Sequence, residues 1–160
     1  MPDKSPSYTT AQTAIITVAE FEALCVDDTH FLRVFPFRTE SIEPGRATVR
    51  LPFDHNHVRP GPTVGGPAIM ALADFAMWVA VIGAYGGAAK SAVTTSLNVN
   101  FLRPAGLADL VCEARILKAG RRLAVGESYV HAEGTEAPVA HASLTYSVPP
   151  DVDPPKLRIT

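Results

Sequence analysis

One charged side chain interrupts an otherwise apolar stretch of this sequence. The segment 66–82 reads GPAIMALADFAMWVAVI, and Asp74 is its single charged residue. An unpaired carboxylate in apolar surroundings costs on the order of several kcal/mol, so a chain rarely keeps one without a use or a partner. Asp74 is therefore a candidate general base or nucleophile. The structural alternative is a buried carboxylate that hydroxyl or backbone groups satisfy.

The same stretch begins with the signals of a helix N-terminus. Pro67 suits the first helical position because the N–H that proline lacks would have no partner there. Gly65 and Gly66 then lie just before the helix, where glycine lets a ligand approach the backbone closely. The N–H groups at a helix N-terminus favour an anion or a developing oxyanion. Such a donor and a carboxylate are the two halves of an acyl-transfer site.

The spacing of these two halves predicts a site shared between two chains. Asp74 follows Gly66 by eight residues, which is about 12 Å at 1.5 Å per helical residue. The two residues of one chain therefore cannot act on the same carbonyl. Two antiparallel copies of the helix, related by a two-fold axis near Met70, would bring Asp74 of one chain beside Gly66 of the other.

Length and composition limit the other possibilities. The chain has 160 residues, 47% hydrophobic and 19% charged, with a net charge of −2, which predicts one globular domain with no electrostatic preference for nucleic acid or an anionic membrane. Cys25 and Cys112 lack metal-ligand spacing and fit a reduced cytoplasmic protein. The apolar segment has Asp74 at its centre and no close Lys or Arg flank, which argues against a membrane helix. The N-terminus has no signal-peptide pattern.

The order of the predicted elements indicates an α+β fold. We expect a flexible arm over residues 1–14, one domain over 15–148 and a proline-rich tail over 149–160, with Thr17 capping a short helix over Val18 to Val26. A hairpin follows, its strands Phe31 to Ile42 and Ala47 to Phe53. The long helix ends at Gly86-Gly87. Four strands then occupy 93–101, 110–118, 123–131 and 138–148. This order predicts an antiparallel sheet of five to six strands wrapped around one long central helix.

Four segments of the chain carry a resemblance to a known family. They are GGPAIMALAD, VTTSLNVNFLRPAG, KAGRRLAVGE and PVAHASLTYSVP. Together with the element order, they resemble hotdog-fold thioesterases of the PaaI type over about residues 30 to 148. The resemblance implies that two long helices pair across a homodimer, which can double to a tetramer, and that an acyl-CoA thioester is hydrolysed at the interface. Coenzyme A would be part of the substrate, with no separate cofactor.

The resemblance also implies roles for individual residues. Asp74 falls on the catalytic carboxylate, Gly66 on the glycine whose N–H binds the thioester oxygen, and Thr94 on a hydroxyl residue that holds the attacking water in some members. The predicted substrate-binding residues are Arg59, Thr63, Gly65 and Pro67 near the helix start, and Arg121 and Arg122 for the phosphates of coenzyme A.

Two departures from the family pattern lie close to the helix start. The family's usual His-Gly-Gly reads here as Gly65-Gly66-Pro67, and its common Asn before the glycines reads as Arg59. The second change replaces an amide with a cation, which could bind a substrate carboxylate or a phosphate of coenzyme A.

Several other interpretations of the chain stay open at this stage. One is a catalytically silent domain that binds or senses acyl-CoA. Another is a hotdog hydratase or dehydratase, but this needs a histidine beside the carboxylate, and His55 and His57 lie in the wrong segment. The same pair lacks a third ligand at convincing spacing, so no metal site is predicted. Met77 and Trp78 favour core or interface packing over an acyl pocket.

Overall fold

In the part of the chain that the structure describes, two short helices precede the first strand. The computed structural model describes residues 14–26, 30–155 and 157. Helix α1 (Val18–Cys25) begins with the predicted cap, a reciprocal capping box between Thr17 and Glu20. Most of the predicted N-terminal arm, residues 1–13, lies outside the described residues.

The first half of the predicted strand Phe31 to Ile42 is instead a helix. Helix α2 spans His30–Val34, and strand β1 starts only at Arg38 (Arg38–Glu43). Phe31 and Phe35 stand four residues apart, the spacing that brings two side chains together on one helical face, and their rings lie 5.3 Å apart. Pro36 then disfavours continuation of the helix. The apolar spacing here is helical, so the strand prediction was wrong over residues 31–34.

Six antiparallel strands form the main sheet, as predicted, in the order β1-β2-β6-β7-β8-β5. Besides β1, these are β2 (Arg46–Leu51), β5 (Val93–Phe101), β6 (Leu110–Ala119), β7 (Leu123–Ala132) and β8 (Ala140–Ser147). The loop before the long helix contains a short 3-10 turn (His55–His57) and a two-stranded pairing of β3 (Val58–Arg59) with β4 (Thr63–Val64), neither of which was predicted. This architecture, a curved antiparallel sheet around one long helix, is the hotdog fold.

The long helix α3 (Gly66–Tyr85) is the centre of the core. Its N-cap is Gly65, and Gly86 follows its last residue with φ 87°, a conformation that favours glycine. The helix therefore starts one residue earlier than predicted and ends where predicted. By length and hydropathy α3 could cross a membrane, but 78% of its most apolar window is buried inside this protein. Leu72, Met77 and Ile82 are among its fully buried side chains.

Strand β5 lies at one edge of the sheet and is poorly covered by the rest of the chain. The sequence predicts a half-buried strand here, and Leu97 and Val99 are indeed partly buried. At the strand ends, however, Val93 is 58% exposed and Phe101 52% exposed. The helix packs mainly beneath the other strands, so part of the apolar face of β5 remains uncovered within one chain. An exposed sheet edge with apolar side chains is a surface suited to pairing with another chain.

The described part of the C-terminal tail packs back onto the domain. Val152 is buried and Leu157 contacts the core. The tail thus covers part of the sheet.

Candidate active site

Two hydroxyl groups hold the Asp74 carboxylate. Thr94 Oγ1 donates to Asp74 Oδ1 at 2.7 Å, and Tyr146 Oη donates to the same oxygen at 2.7 Å. Tyr146 Oη also lies 2.8 Å from the Asp74 main-chain oxygen. Asp74 therefore has the polar partners that its apolar surroundings require, and all of them come from its own chain.

The sheet explains why these two donors meet at one carboxylate. Thr94 on β5 and Tyr146 on β8 are directly paired across neighbouring strands, and such paired residues project from the same face of a sheet. The register shifts just after Thr94, as it does at a β-bulge, and bulges re-aim side chains near functional sites. Asp74 sits near the middle of α3, which packs against this face.

Electrostatics keep Tyr146 in its donating form. Burial raises the pKa of the Tyr146 phenol well above its usual range, and the charge of Asp74 raises it further. The phenol therefore stays protonated at any physiological pH and can donate to the carboxylate. Both donors use Oδ1, and among residues 14–26, 30–155 and 157 no hydrogen bond reaches Oδ2. One oxygen of the carboxylate is fixed and the other remains available as an acceptor.

The second half of the predicted site is the start of α3. Gly65 is the N-cap, and its own N–H donates to the main-chain oxygen of His57 at 2.8 Å. The first turn of a helix leaves N–H groups without intrahelical partners, and within the described part of the chain Gly66 N–H has no acceptor. The ring of Phe101 lies against Gly66, so a Cβ added at Gly66 would come within 3.2 Å of the Phe101 ring.

The remaining predicted binding residues are divided between two places. Arg59 is exposed beside the helix start, and its Nη1 donates to the Pro60 carbonyl oxygen at 3.0 Å. Thr63 is buried in the same loop, with its hydroxyl accepting a hydrogen bond from Gly106 N–H at 3.0 Å. Pro67 is exposed at the second helical position.

Arg121 and Arg122 lie away from this group. They are exposed in the β6–β7 turn, which contacts the opposite end of α3 because Tyr85 Oη donates to the Gly120 carbonyl oxygen at 2.7 Å. Within one chain, therefore, the structure brings Thr94 to Asp74 and the Arg59 loop to Gly66, but it does not bring the arginine turn to either of them.

His57, in the loop before α3, makes packing and hydrogen-bond contacts with the segment around α2. His57 stacks on Phe35 with ring centroids 5.3 Å apart, and its Nε2 lies 3.0 Å from the Val34 carbonyl oxygen. His57 thereby ties this loop to α2. Among residues 14–26, 30–155 and 157, no group of three metal-ligating side chains occurs.

Sequence reasoning missed Tyr146 and the cavity beside it. The period-two pattern of β8 places Tyr146 on its inward face, but only the fold reveals that its phenol meets Asp74. Next to the carboxylate is a cavity of about 570 Å³ whose walls include Leu24, Leu32, Phe75 and Trp78. Met77 is buried in the core, and Trp78 packs against the core as expected while also lining this cavity.

Comparisons with known proteins show the family of this chain. Residues 61–146 match the sequence model of the thioesterase superfamily. A crystal structure from Silicibacter sp. TM1040, described as a thioesterase, is 36% identical, covers 89% of this chain and 99% of that one, and superposes with a TM-score of 0.78. A variant of the phenylacetic acid degradation protein PaaI from Thermus thermophilus is 27% identical over 74% of this chain and 98% of that one, with a TM-score of 0.66. A Thermoplasma acidophilum protein whose name describes it as an esterase is 30% identical over 59% of this chain and 70% of its own length.

Proposed function

Because the chain belongs to the thioesterase superfamily, we propose that it hydrolyses acyl-CoA thioesters to the free acid and coenzyme A. The site would be shared between two chains, with Asp74 as the catalytic carboxylate and Gly66 as the oxyanion donor. The observation that carries the proposal is the Asp74 carboxylate itself: Thr94 and Tyr146 fix one oxygen, and the carboxylate borders an open cavity.

The proposed chemistry is general-base hydrolysis. Asp74 takes a proton from water while the water oxygen attacks the thioester carbonyl carbon. The carbonyl oxygen becomes an oxyanion, which the Gly66 N–H and the α3 N-terminus stabilise. Collapse of this intermediate breaks the carbon–sulfur bond, and the coenzyme A thiolate leaves and takes the proton from Asp74. Direct attack by Asp74 would instead expel the thiolate and form an acyl anhydride with Asp74, which water then hydrolyses to the free acid and the regenerated carboxylate.

Thr94 and Tyr146 support the carboxylate in this scheme. Their hydroxyls hold Asp74 Oδ1, so the carboxylate cannot rotate freely, and Thr94 remains a candidate to orient water as well. Tyr146 acts through Asp74 and is a positioning residue. The exposed Arg59, Arg121 and Arg122 are proposed contacts for the phosphates of coenzyme A, because guanidinium groups match phosphate oxygens well.

A homodimer, or a pair of such dimers, supplies the second chain. The exposed edge and uncovered apolar ends of β5 support it, as does the spacing of about 12 Å along α3 between Gly66 and Asp74. We place the enzyme in the cytoplasm, with no cofactor beyond the coenzyme A of its substrate and no nucleic-acid or membrane partner.

Asp74→Asn tests the proposal. The amide keeps the shape of the carboxylate but cannot accept the proton, so we expect kcat for acyl-CoA hydrolysis to fall by about 10²- to 10⁴-fold. Asp151→Asn, an exposed aspartate in the tail, is the matched control and should retain wild-type activity. Hydrolysis is followed by thiol release over a panel of acyl-CoAs, with unchanged oligomer size as a check on folding.

Two results would contradict the proposal. If Asp74→Asn hydrolyses thioesters at the wild-type rate, Asp74 is not the catalytic carboxylate. If the folded wild-type protein binds acyl-CoA but cleaves none of the panel, the silent binding domain is the better description.

A further inference from the structure

We infer that the two N-terminal helices select the acyl group: Leu24 of α1 and Leu32 of α2 form, with Trp78 of α3, the wall against which an apolar acyl group longer than acetyl binds. This inference rests on the proposed function, since it assigns the cavity beside Asp74 to the acyl part of the thioester.

The cavity has polar chemistry on one part of its wall and apolar surface on another. Asp74, Thr94 and Tyr146 line it together with Leu24 and Leu32. A thioester carbonyl placed within reach of Asp74 therefore has apolar side chains next to it. Coenzyme A is large and polar, so the acyl chain is the part of the substrate that this surface suits.

Aromatic contacts connect the apolar wall to α3. On α1, Phe21 is 2% exposed, and its ring meets those of Phe75 at 6.1 Å and Trp78 at 5.3 Å, both edge-on. Beyond α2, Phe37 stacks on Phe75 with centroids 4.7 Å apart. These rings pack α1 and the segment after α2 against the helix that carries Asp74, and Phe31 of α2 contacts Phe37 in turn. The cavity therefore has packed walls, and its size can discriminate between acyl groups.

Part of the apolar surface at the cavity is still accessible. Phe31, which also lines the cavity, is 51% exposed, although it packs against Phe35 and Phe37. Burial of an acyl group there would remove apolar surface from water, and each buried methylene contributes roughly fourfold in affinity. Helices α1 and α2 precede residues 61–146, the part that matches the superfamily. The matched part carries the proposed chemistry, and the preceding helices add the wall.

Lys90 at the cavity suggests an alternative substrate class, an acyl group that ends in a carboxylate. It and Asp74 are the charged residues among those that line the cavity in the described part of the chain, and Lys90 is exposed. Its main-chain oxygen accepts a hydrogen bond from Trp78 Nε1 at 3.2 Å. A cation there could attract an acyl group with a terminal carboxylate, but the larger part of the wall is apolar, which favours an uncharged acyl group.

Kinetics with acetyl-CoA, octanoyl-CoA and succinyl-CoA test the inference. We expect wild-type kcat/KM to be at least about 100-fold higher for octanoyl-CoA than for acetyl-CoA, because six additional methylenes can be buried. Leu32→Trp fills the cavity and should lower this octanoyl-to-acetyl ratio at least tenfold. Leu117→Trp, a 45% exposed leucine on β6, is the matched control and should keep the ratio. Leu32→Phe gives a smaller filling substitution if the tryptophan variant does not fold.

The outcomes separate this inference from the proposed function. Equal wild-type kcat/KM for acetyl- and octanoyl-CoA, or a ratio unaffected by either Leu32 variant, overturns the acyl-wall assignment while leaving thioester hydrolysis intact. A preference for succinyl-CoA over octanoyl-CoA that disappears in Lys90→Ala overturns the apolar class. Loss of all hydrolysis in the wild type would instead contradict the proposed function.

A binding measurement does not depend on turnover. Trp78 is the single tryptophan of the chain, so intrinsic fluorescence of the Asp74→Asn protein reports directly on this cavity. We expect octanoyl-CoA to change the emission at concentrations where coenzyme A alone and acetyl-CoA do not. The same emission change with all three ligands, or with none while calorimetry shows octanoyl-CoA bound, would place the acyl group elsewhere.

Discussion

The middle and the start of helix α3 differ in how completely one chain builds them. In the middle, Asp74 receives both its hydrogen-bond donors from its own chain, Thr94 on β5 and Tyr146 on β8. At the start, the described part of the chain gives Gly66 N–H no acceptor. One chain thus supplies two donors to Asp74 Oδ1, and the middle of α3 is the prepared half of the site. The start of α3, with a backbone N–H that has no intrahelical partner, is the open half.

The same contrast extends to the surroundings of the two halves. Asp74 borders a cavity lined by residues of three helices and of strands β5 and β8 of its own chain. Gly66 lies beside the 52% exposed ring of Phe101, at the end of the exposed edge strand. In the proposed site, the cavity beside Asp74 determines which acyl group reacts. The N–H of Gly66 can act on that acyl group only after a second chain binds.

After Asp74→Asn, the largest loss of activity is expected from substitution of Gly66 in the open half. Gly66→Pro removes the N–H donor, and loss of one oxyanion donor lowers kcat by about 10²- to 10³-fold. Gly66→Ala is the matched control, because it keeps the N–H and adds the same first carbon against Phe101. Steady-state hydrolysis by the two variants separates the donor from the crowding, and equal losses would show that the N–H is not used.

Mixing two inactive variants tests whether the halves come from different chains. Asp74→Asn and Gly66→Pro homodimers should each retain about 1% of wild-type activity or less. In a mixed dimer one site carries both lesions and the other carries none, so co-refolding should restore up to about a quarter of wild-type activity under random pairing. Heterodimers that form, as native mass spectrometry would show, without any return of activity would mean that each chain completes its own site.

A smaller effect is expected within the prepared half. Tyr146→Phe removes one of the two hydrogen bonds that hold Asp74 Oδ1. We expect kcat to fall by about tenfold with little change in KM, because the phenol acts by positioning the carboxylate. Steady-state kinetics check this, and thermal unfolding measures the loss of stability separately.

Tyr85→Phe is the matched control for this loss of activity. Burial raises the pKa of Tyr85 to about 12, and its phenol also donates one hydrogen bond, but to the Gly120 carbonyl oxygen and not to a carboxylate. Its loss should lower thermal stability and leave kcat unchanged. If both variants lower kcat equally, or if neither does, Tyr146 is a core residue without a positioning role.

The site also shows which of its residues could be predicted from the sequence. The single charge in an apolar helix indicated Asp74 as the candidate carboxylate, and the glycines before it indicated the start of the helix, because both signals are local in the sequence. Tyr146 lies 72 residues from Asp74 along the chain, and nothing within β8 distinguishes its phenol from that of a core tyrosine. The strand prediction over residues 31–34 was wrong for a related reason, since three phenylalanines near a proline suit a strand as well as a short helix until their ring partners are known.

The smallest predicted effect concerns binding of coenzyme A near the open half. Arg59 is exposed, and the hydrogen bond from its guanidinium to the Pro60 carbonyl oxygen leaves other donors for a phosphate. Arg59→Ala should raise KM severalfold with little change in kcat, since the contact is equally strong in the ground and transition states. The KM difference should shrink at high salt, because exposed charges are screened. Arg46→Ala, an exposed arginine on β2, should leave both constants unchanged, and an identical result for Arg59→Ala would restrict the proposed contribution of the open half to its backbone N–H.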